Sequence, residues 1–374
     1  MQKLAISGEK NICIIGPSTD AFYMGGVATH IRNLKSLSCF RDAEILDPGS
    51  INSNCRENTF SILKALFTMG RRVQRKGYKY LLVNSSIYPA SFLKLLLMLT
   101  ALPAGNQPVT HVFFHGGRFS FLSPLTASFL KRFFRTALGK VQVFHFLSSE
   151  QMEGFLRLFP GCHASIYANY ATADDTWEKN CKDERNCLKL LFVGRIVRKK
   201  GVYELLSAFE TLLAKNEKIQ LTIAGDGPDL PELINRSKSF QPGLVHFPGF
   251  VKGQELETAY RDADLLIFPS YQEGFPYVAI EAMRAGLPIV STSSGALDEL
   301  VTDGVTGFKV PPKDSDALVI TISRIINHRT LLEEMSHNCH AYFKARLSRS
   351  AAERYYSELI GDAFPQGSGG QSND

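Results

Sequence analysis

Short runs of consecutive apolar residues alternate along the chain with longer segments of helical periodicity. Because the apolar character of each run is continuous, both faces of the resulting strands are expected to be buried, as in a parallel sheet covered by helices. The pattern therefore predicts an α/β fold with two Rossmann-like, doubly wound parallel sheets. The predicted strands are Ile12–Ile15, Tyr80–Val83, His111–Phe114 and Val141–Phe146 in the first half, and Leu188–Val193, Leu221–Ile223, Leu244–Phe247, Leu265–Phe268 and Pro288–Ser291 in the second.

The polar stretch 171–186 separates the two sets of strands and is predicted to link two domains. A chain of 374 residues is also too long for one ordinary hydrophobic core. We therefore expect one domain over residues 1–172 and a second domain over 187–345. A helix over 346–361 is expected to rejoin the first domain, and the Gly/Ser-rich tail 362–374 is predicted to be disordered.

The composition favours a globular protein of the cytoplasm. Hydrophobic residues make up 44% of the chain and charged residues 21%. No apolar run reaches the roughly 18 residues that a spanning helix needs, and no secretion signal is visible. The longest run, Phe92–Leu102, contains Lys94 and is predicted to be a buried or interfacial helix. Seven scattered cysteines without a Cys-x-x-Cys pair argue against a zinc site or a disulfide framework.

The net charge of +6 is unevenly distributed along the chain. Residues 1–186 carry 22 basic and 13 acidic side chains, whereas the remainder carries 20 and 23. No acidic residue occurs between Glu57 and Glu150, a stretch that holds twelve lysines and arginines. Such a surface attracts phosphates, which could belong to nucleic acid, to anionic lipid or to a pyrophosphate-linked substrate.

The segment Glu273–Glu281 carries two carboxylates eight positions apart, between a predicted strand and a predicted helix. Pro276 suits the first position of that helix. The amides of the preceding loop would then lie at the positive end of the helix, where phosphate or sugar oxygens bind. Carboxylates accept hydrogen bonds from vicinal hydroxyls, which ribose and hexose both offer. On spacing alone, a solvated helix with surface glutamates remains an equal alternative.

A second loop, from Gly194 to Gly201, places basic residues between a predicted strand and a helix. Arg195 offers a planar fork of donors and Lys200 a point charge, and together they suit a pyrophosphate and the negative charge that develops when its bond to a sugar breaks. Taken alone, a basic loop of this kind is more often a solvated corner.

These two loops belong to a series of five motifs that covers the C-terminal half almost continuously. In this order the series resembles the family 4 (group 1) retaining glycosyltransferases of GT-B fold. The motifs are Gly194-Arg195 with Lys200-Gly201, Ala224–Pro228, Phe247–Val251, Ala263–Ser270 and Glu273–Pro288. The resemblance implies two Rossmann-like domains that face a central cleft, an acceptor-binding domain over 1–172 and a nucleotide-sugar-binding domain over 187–345. It also implies retention of anomeric configuration by same-face attack, without a covalent enzyme intermediate.

The resemblance implies a role for each motif. Arg195 and Lys200 would neutralise the donor pyrophosphate, and with Glu273, which would hold the transferred sugar, they form the expected catalytic set. Glu281 would bind the ribose hydroxyls. The remaining expected substrate contacts in this half are Gly249, Phe250 and Val251 beside the base, and Gly274, Phe275, Pro276 and Tyr277 at the helix start.

The N-terminal half offers two further glycine-bearing loops after predicted strands. Gly25 and Gly26 open a helix, and the resemblance puts such a pair beside donor phosphate and acceptor; the alternative is a simple turn. His115 matches the cleft histidine of the family and is expected to contact sugar, although a lone histidine at a strand end is more often structural. Asn169 is left out of the predicted site, because Tyr170 replaces the glycine that often follows it in the family.

No metal or resident cofactor is expected. Asp262 and Asp264 spell an Asp-x-Asp metal signature, but they precede a buried strand instead of following one, and the family pattern explains Asp264 structurally. Arg195 and Lys200 would carry the charge that Mg²⁺ carries elsewhere. The donor is expected to be a nucleotide-diphosphate sugar linked to UDP or GDP.

The acid-free stretch predicts a basic, Phe-rich surface. Phe129 and Phe133 lie one helical turn apart, as do Lys131 and Arg135, and a second basic cluster comprises Arg71, Arg72, Arg75 and Lys76. The prediction is peripheral association with the anionic inner face of the plasma membrane and an acceptor such as a polyprenyl-pyrophosphate-linked glycan. The alternatives are solvated charges and core phenylalanines.

The sequence thus predicts a metal-independent hexosyltransferase of polysaccharide or glycolipid assembly that binds no nucleic acid. A sugar-nucleotide epimerase of the same fold remains an alternative and would act on its nucleotide sugar without an acceptor. A basic nucleic-acid-binding module and a non-catalytic partner subunit are the alternatives from other classes. The first would leave the Glu273 loop unexplained.

Overall fold

The computed structural model describes residues 11–17, 26–47, 59–103, 107–176 and 187–361. They divide into two compact units. Unit 1 comprises the described residues up to Tyr167 together with those from Ala352 onward, and unit 2 comprises those from Ala168 to Ala351. Gly25, the linker beyond Thr176 and the tail 362–374 lie outside the described residues.

Unit 1 is built on a six-stranded parallel sheet with the order β2-β1-β3-β4-β5-β6. Its strands are β1 (Ile12–Ile15), β2 (Glu44–Leu46), β3 (Tyr80–Ile87), β4 (Val109–Gly117), β5 (Val141–Phe146) and β6 (Ala164–Ile166). The helices between them are α1 (Gly26–Ser36), α2 (Thr59–Lys76), α3 (Pro89–Ala101), α4 (Pro124–Phe133), α5 (Arg135–Leu138) and α6 (Ser149–Leu158).

The two faces of this sheet bury different chemistry. Val112 and Phe114 of β4 join an apolar core that also includes buried residues of α2, α3, α5 and α6. The alternate residues His111, Phe113 and His115 are buried on the opposite face. Both faces are therefore covered, as the continuous apolar runs predict.

Unit 2 is a second six-stranded parallel sheet, with the order β12-β11-β10-β7-β8-β9. Its strands are β7 (Leu188–Val193), β8 (Ile219–Ala224), β9 (Val245–Gly249), β10 (Leu265–Phe268), β11 (Ile289–Thr292) and β12 (Gly307–Val310). The helices are α7 (Val202–Ala214), α8 (Leu230–Ser237), α9 (Gln254–Asp262), α10 (Tyr277–Arg284), α11 (Leu297–Leu300), α12 (Ser315–Asn327) and α13 (Thr330–Tyr342), and after a π-helical turn the chain forms α14 (Arg349–Leu359).

The predicted fold class is confirmed, and all nine predicted strands are present within two residues or so at most ends. The segment Phe92–Leu102 corresponds to α3, whose inward face is buried. Three strands were not predicted, namely β2, β6 and β12. Each is an edge strand of three or four residues, and a strand with a neighbour on one side only needs no long apolar run.

Candidate functional site

The strand order of unit 2 reverses between β7 and β10, which are hydrogen-bonded neighbours. In an open parallel sheet, ligands bind beyond the carboxyl ends of the strands at such a reversal. The loop after β7 is the basic segment 194–201, and the loop after β10 begins the Glu273 segment. The fold therefore brings together the two loops that carry the predicted chemistry.

The backbones of the loop 194–201 and of the loop after β10 are in close contact. Gly201 has a φ of +73°, and a Cβ atom there would lie 2.2 Å from the carbonyl oxygen of Pro269. Only glycine fits this position, because any side chain would combine a left-handed backbone with a clash. The amide of Tyr271 also donates to the carbonyl oxygen of Lys199 across 2.9 Å.

Lys200 and Glu273 form an ion pair at this junction. The Lys200 Nζ donates a hydrogen bond to Glu273 Oε1, and both side chains are largely buried. The same Nζ lies 5.3 Å from the ring centroid of Phe268, the last residue of β10. An anion that approaches this site would find the ammonium group already held in place, with a carboxylate beside it.

The basic side chains of residues 195–200 lie in different environments. Arg195 is exposed, and no described carboxylate forms an ion pair with it. Arg198 stacks on Tyr203 with its guanidinium carbon 4.1 Å from the ring centroid, and its amide donates to Asp229 Oδ2 across 2.6 Å. Arg198 is thus part of the local packing, whereas Arg195 and Lys200 are placed at the strand reversal.

A third loop supports the Glu273 segment, and sequence analysis did not identify it. The amide of Glu273 donates to Ser294 Oγ across 3.0 Å, and the amide of Ala296 donates to the carbonyl oxygen of Gly274 across 2.9 Å. Gly295 has a φ of +56°, and a Cβ atom there would lie 2.1 Å from the Glu273 carbonyl oxygen. In the sequence, the signal for this third loop was Gly295, which follows the polar residues at the end of β11.

Asn169 also contacts this segment, although sequence analysis left it out of the site. Its Nδ2 donates to the carbonyl oxygen of Phe275 across 3.2 Å, and the side chain is buried. No described residue forms a hydrogen bond with its Oδ1. The absence of a following glycine therefore does not remove Asn169 from the loop that precedes α10.

Helix α10 begins at Tyr277, one residue later than predicted, with Pro276 as its N-cap. It presents Glu281, whose Oε2 accepts a hydrogen bond from the buried Tyr260 hydroxyl across 2.8 Å. Burial raises the pKa of Glu281, and the hydrogen bond from Tyr260 opposes that rise. The role of Tyr260 was not predicted, because it comes from a different helix, α9.

The predicted base-binding residues lie at the carboxyl end of β9. The carbonyl oxygen of Gly249 accepts a hydrogen bond from the amide of Gly225 across 2.8 Å, which ties the ends of β9 and β8 together. Phe250 follows with its ring 73% exposed. An exposed aromatic ring at a strand end is able to stack on a planar ligand.

In unit 1, Gly26 begins α1 as predicted, and His115 is buried at the end of β4. His115 Nε2 lies 2.9 Å from Asn84 Oδ1, and its Nδ1 lies 2.9 Å from the Tyr167 hydroxyl. Burial, and secondarily the neighbouring His30, lower the pKa of His115, which favours the neutral ring. Both ring nitrogens are engaged inside the protein, and a contact with sugar stays a prediction.

Unit 1 has its own strand reversal, between β1 and β3. A cavity of about 290 Å³ lies there. Its described walls combine polar groups of the β3 end with apolar side chains, and they include Asn84, Ser85, Ser86, Lys94, Leu95 and Met98. This is the position at which a doubly wound sheet binds a second ligand.

Asp264 lies at the amino end of β10, away from the carboxyl edge of the sheet. Its Oδ2 accepts a hydrogen bond from the amide of Lys189 across 3.0 Å. Within the described ranges, no three His, Cys, Asp or Glu side chains are grouped so that they could hold a metal ion. No helix among them is both long enough and apolar enough to cross a bilayer.

Comparison with known proteins finds sequence similarity in the second half of the chain. The family model for glycosyl transferases group 1 matches residues 175–344. An uncharacterized glycosyltransferase of Methanocaldococcus jannaschii is 37% identical over 141 residues, which are 37% of this chain and 35% of that protein. A capsular polysaccharide biosynthesis glycosyltransferase of Staphylococcus aureus is 31% identical over 151 residues, 39% of each chain. The chain thus matches little more than a third of the length of these relatives.

Similarity of fold extends further than similarity of sequence. The Anabaena protein HepE, solved in complex with UDP, superposes with a TM-score of 0.71 at 16% identity, covering 94% of this chain and 100% of that one. A lipopolysaccharide outer core galactosyltransferase superposes with a TM-score of 0.69 at 16% identity, covering 94% and 99%. Residues 175–344 thus match the model of the group 1 glycosyltransferases, and the two sheets have the GT-B fold.

Proposed function

We propose that this chain is a glycosyltransferase that moves a hexose or N-acetylhexosamine from a nucleotide-diphosphate sugar to a glycan or lipid-linked acceptor. The observation that carries the proposal is the Lys200–Glu273 pair, held where the strand order of a group 1 domain reverses. A cation and a carboxylate side by side suit a donor that presents a pyrophosphate next to a polyhydroxylated ring.

Binding of the donor would divide this ion pair between two partners. The pyrophosphate oxygens would take the Lys200 ammonium, together with the exposed Arg195 guanidinium and the amides at the start of α10. Glu273 would then be free to accept hydrogen bonds from sugar hydroxyls. As the glycosidic bond to phosphate breaks, charge grows on the leaving diphosphate, and fixed cations stabilise that charge most in the transition state. We propose that this replaces a divalent metal and that transfer retains the anomeric configuration.

Two further parts of the donor have candidate partners in unit 2. Glu281 would accept hydrogen bonds from the ribose hydroxyls, with Tyr260 fixing its second oxygen. Phe250 would stack on the base. The UDP complex of the Anabaena protein supports a uridine donor, and the names of the polysaccharide and lipopolysaccharide enzymes support a glycan acceptor. The cavity of unit 1 is the proposed acceptor site.

A thermal-shift panel of UDP, GDP, ADP, CMP and UTP, each with and without EDTA, tests the donor site. A ligand at 100 times its Kd stabilises the folded state by about 2.7 kcal/mol, so one nucleoside diphosphate should raise the melting temperature by several degrees. Lys200→Met should abolish the shift, and Arg198→Met, a matched change in the same loop, should preserve it. If no nucleotide shifts the wild type, the proposal fails; a shift that EDTA removes would reject metal independence.

A further inference from the structure

Helix α4 carries its large apolar side chains on the outside. Leu125, Phe129 and Phe133 are 84%, 65% and 73% exposed. They follow one another at intervals of four residues, so they form one ridge along the helix, and the two phenyl rings stack with centroids 6.0 Å apart. The only fully buried side chain of α4 is that of Ala127. We call these three residues the α4 ridge.

A ridge of this kind differs from the ordinary scatter of exposed apolar side chains. Single exposed apolar residues are normal on protein surfaces, and Ile320 on α12 of unit 2, 70% exposed, is an example. Three contiguous large ones mark an interaction surface. The sequence spacing fitted both a core helix and a surface helix, and the exposures decide for the surface.

The surroundings of the α4 ridge are basic. Arg132 and Arg135 are exposed, and Lys131 donates to the carbonyl oxygen of Pro160 across 2.8 Å. On α2, which packs on the same core, Phe67 is exposed with the guanidinium carbon of Arg71 4.5 Å from its ring centroid.

Helix α6, which packs against α4, carries Glu150 and Glu153, and Glu153 forms an ion pair with Arg157 of the same helix across 3.8 Å. Glu44 forms ion pairs with Arg72 and Lys76 of α2. The basic cluster of α2 therefore presents less net positive charge than its composition suggests. Glu150 lies 3.2 Å from Arg118. None of these three carboxylates forms an ion pair with Arg132 of α4 or Arg135 of α5 in the described structure. The α4 ridge and the exposed Arg132 and Arg135 therefore present apolar and positive groups together.

We propose that α4 docks this chain on an anionic lipid bilayer. The α4 ridge enters the boundary between headgroups and acyl chains, and Arg132 and Arg135 bind headgroup phosphates. This inference rests on the proposed function and deepens it, because it names the surface that brings the chain to the membrane in which a lipid-linked acceptor lies. Docking itself needs no nucleotide, so it is measured separately from the donor site.

Two other occupants fit the observations less well. A second copy of the chain, related by a two-fold axis, would bring Arg132 and Arg135 of each copy toward their own equivalents, and the carboxylates of α6 are already paired with Arg118 and Arg157. An RNA would use the arginines but would leave Leu125 without an apolar environment. A bilayer satisfies the apolar and the basic groups at once.

Vesicle co-sedimentation of the full chain is the first test, with phosphatidylcholine alone and with phosphatidylcholine containing phosphatidylglycerol. We expect binding to the anionic vesicles that falls with salt. Phe129→Gln with Phe133→Gln, and separately Arg132→Gln with Arg135→Gln, should each weaken it by about tenfold or more. Ile320→Gln, and Lys215→Gln with Lys218→Gln in unit 2, are the matched controls and should bind as the wild type does. Equal binding by all variants would overturn the proposal.

Depth of insertion separates a bilayer from the other occupants. Trp177 is the only tryptophan of the sequence, so Phe129→Trp in a Trp177→Phe background reports on the ridge alone. Its fluorescence should be quenched by vesicles with brominated acyl chains. An unquenched signal together with binding to RNA, or a dimer in sedimentation velocity that Phe129→Gln dissociates, would refute insertion. The nucleotide thermal shift should be unchanged in every α4 variant, so loss of docking cannot be confused with loss of the donor site.

Discussion

Unit 1 and unit 2 share a six-stranded, doubly wound parallel sheet but reverse their strand order at different places. In unit 1 the reversal lies between β1 and β3, and in unit 2 between β7 and β10. At the strand reversal of unit 2 lies the Lys200–Glu273 ion pair. At that of unit 1 lies a cavity lined by polar groups together with Leu95 and Met98. Topology fixes where a ligand can bind, and the loops at that place decide which chemistry it meets.

The interiors differ as well. The core of unit 2 consists mainly of aliphatic side chains and phenylalanines. One face of the sheet in unit 1 instead buries histidines and tyrosines: His111 Nδ1 lies 3.0 Å from His145 Nε2, and the Tyr355 hydroxyl lies 2.9 Å from His145 Nδ1. Burial lowers the pKa of His111 to about 4 and that of His145 to about 3. The stability of unit 1 should therefore depend on pH through these histidines. The described residues of unit 2 contain no matching cluster.

The largest expected effect concerns the charges of unit 2. Lys200→Ala, Glu273→Ala and Arg195→Ala should each lower the rate of sugar transfer by about 100-fold or more, because fixed charges at a developing anion are worth several kcal/mol. The measurement is release of nucleoside diphosphate in the presence of a cell-derived glycolipid acceptor. Arg198→Ala should retain most activity, since its guanidinium packs on Tyr203. Near-wild-type rates for any of the first three would remove that residue from the mechanism.

The second prediction concerns acid and unit 1. Unfolded histidine has a pKa of about 6.5, so below that pH the unfolded chain binds protons that the folded His111 and His145 do not. Stability is fully present above pH 6.5 and falls by about 1.4 kcal/mol per pH unit for each such histidine, down to the folded pKa.

Hydrogen exchange resolved by peptide checks this difference between the units. Corrected for intrinsic rates, protection of the β4 and β5 peptides should fall between pH 7 and pH 5, and that of the β7 and β10 peptides should fall less. Equal losses in both units would show that the buried histidines are not the cause.

The smallest expected effect comes from one hydroxyl group. Tyr260→Phe removes the hydrogen bond to Glu281 Oε2 and should weaken nucleotide binding about tenfold, because a hydrogen bond to a charged group is worth about 1.5 kcal/mol. Titration calorimetry with the best nucleotide and its 2′-deoxy form measures it. The variant should also lose discrimination between the two forms, which a merely structural defect would not change.

Tyr271→Phe is the matched control for that substitution. Its hydroxyl donates to Glu204 Oε1 across 2.6 Å, so its loss removes a partly buried hydrogen bond to a different carboxylate. Nucleotide affinity should stay close to that of the wild type. If both variants weaken binding equally and discrimination is intact, Tyr260 does not position Glu281.

The sequence was sufficient for most of the sheet and for the charged groups of the site. Continuous apolar runs mark central strands, because burial on both faces leaves no room for polar residues, and edge strands such as β6 escape that signal. Arg195, Lys200 and Glu273 could be found because they lie in one pair of loops. Asn169 and Tyr260 could not, since each acts on the site from a segment distant in sequence and its contact exists only in the folded chain.

The helix α14 has a consequence for the order in which the chain becomes structured. Glu353 accepts hydrogen bonds from the amide and hydroxyl of Ser38, and the Tyr356 hydroxyl lies 3.3 Å from His30 Nε2, so unit 1 is completed by residues that follow unit 2. On the ribosome, at about 5–20 residues per second, some 10–40 s separate Tyr167 from Ala352. Unit 2 is contiguous and can fold as it emerges. Unit 1, made first, is finished last, and its aromatic face needs protection from aggregation in the interval.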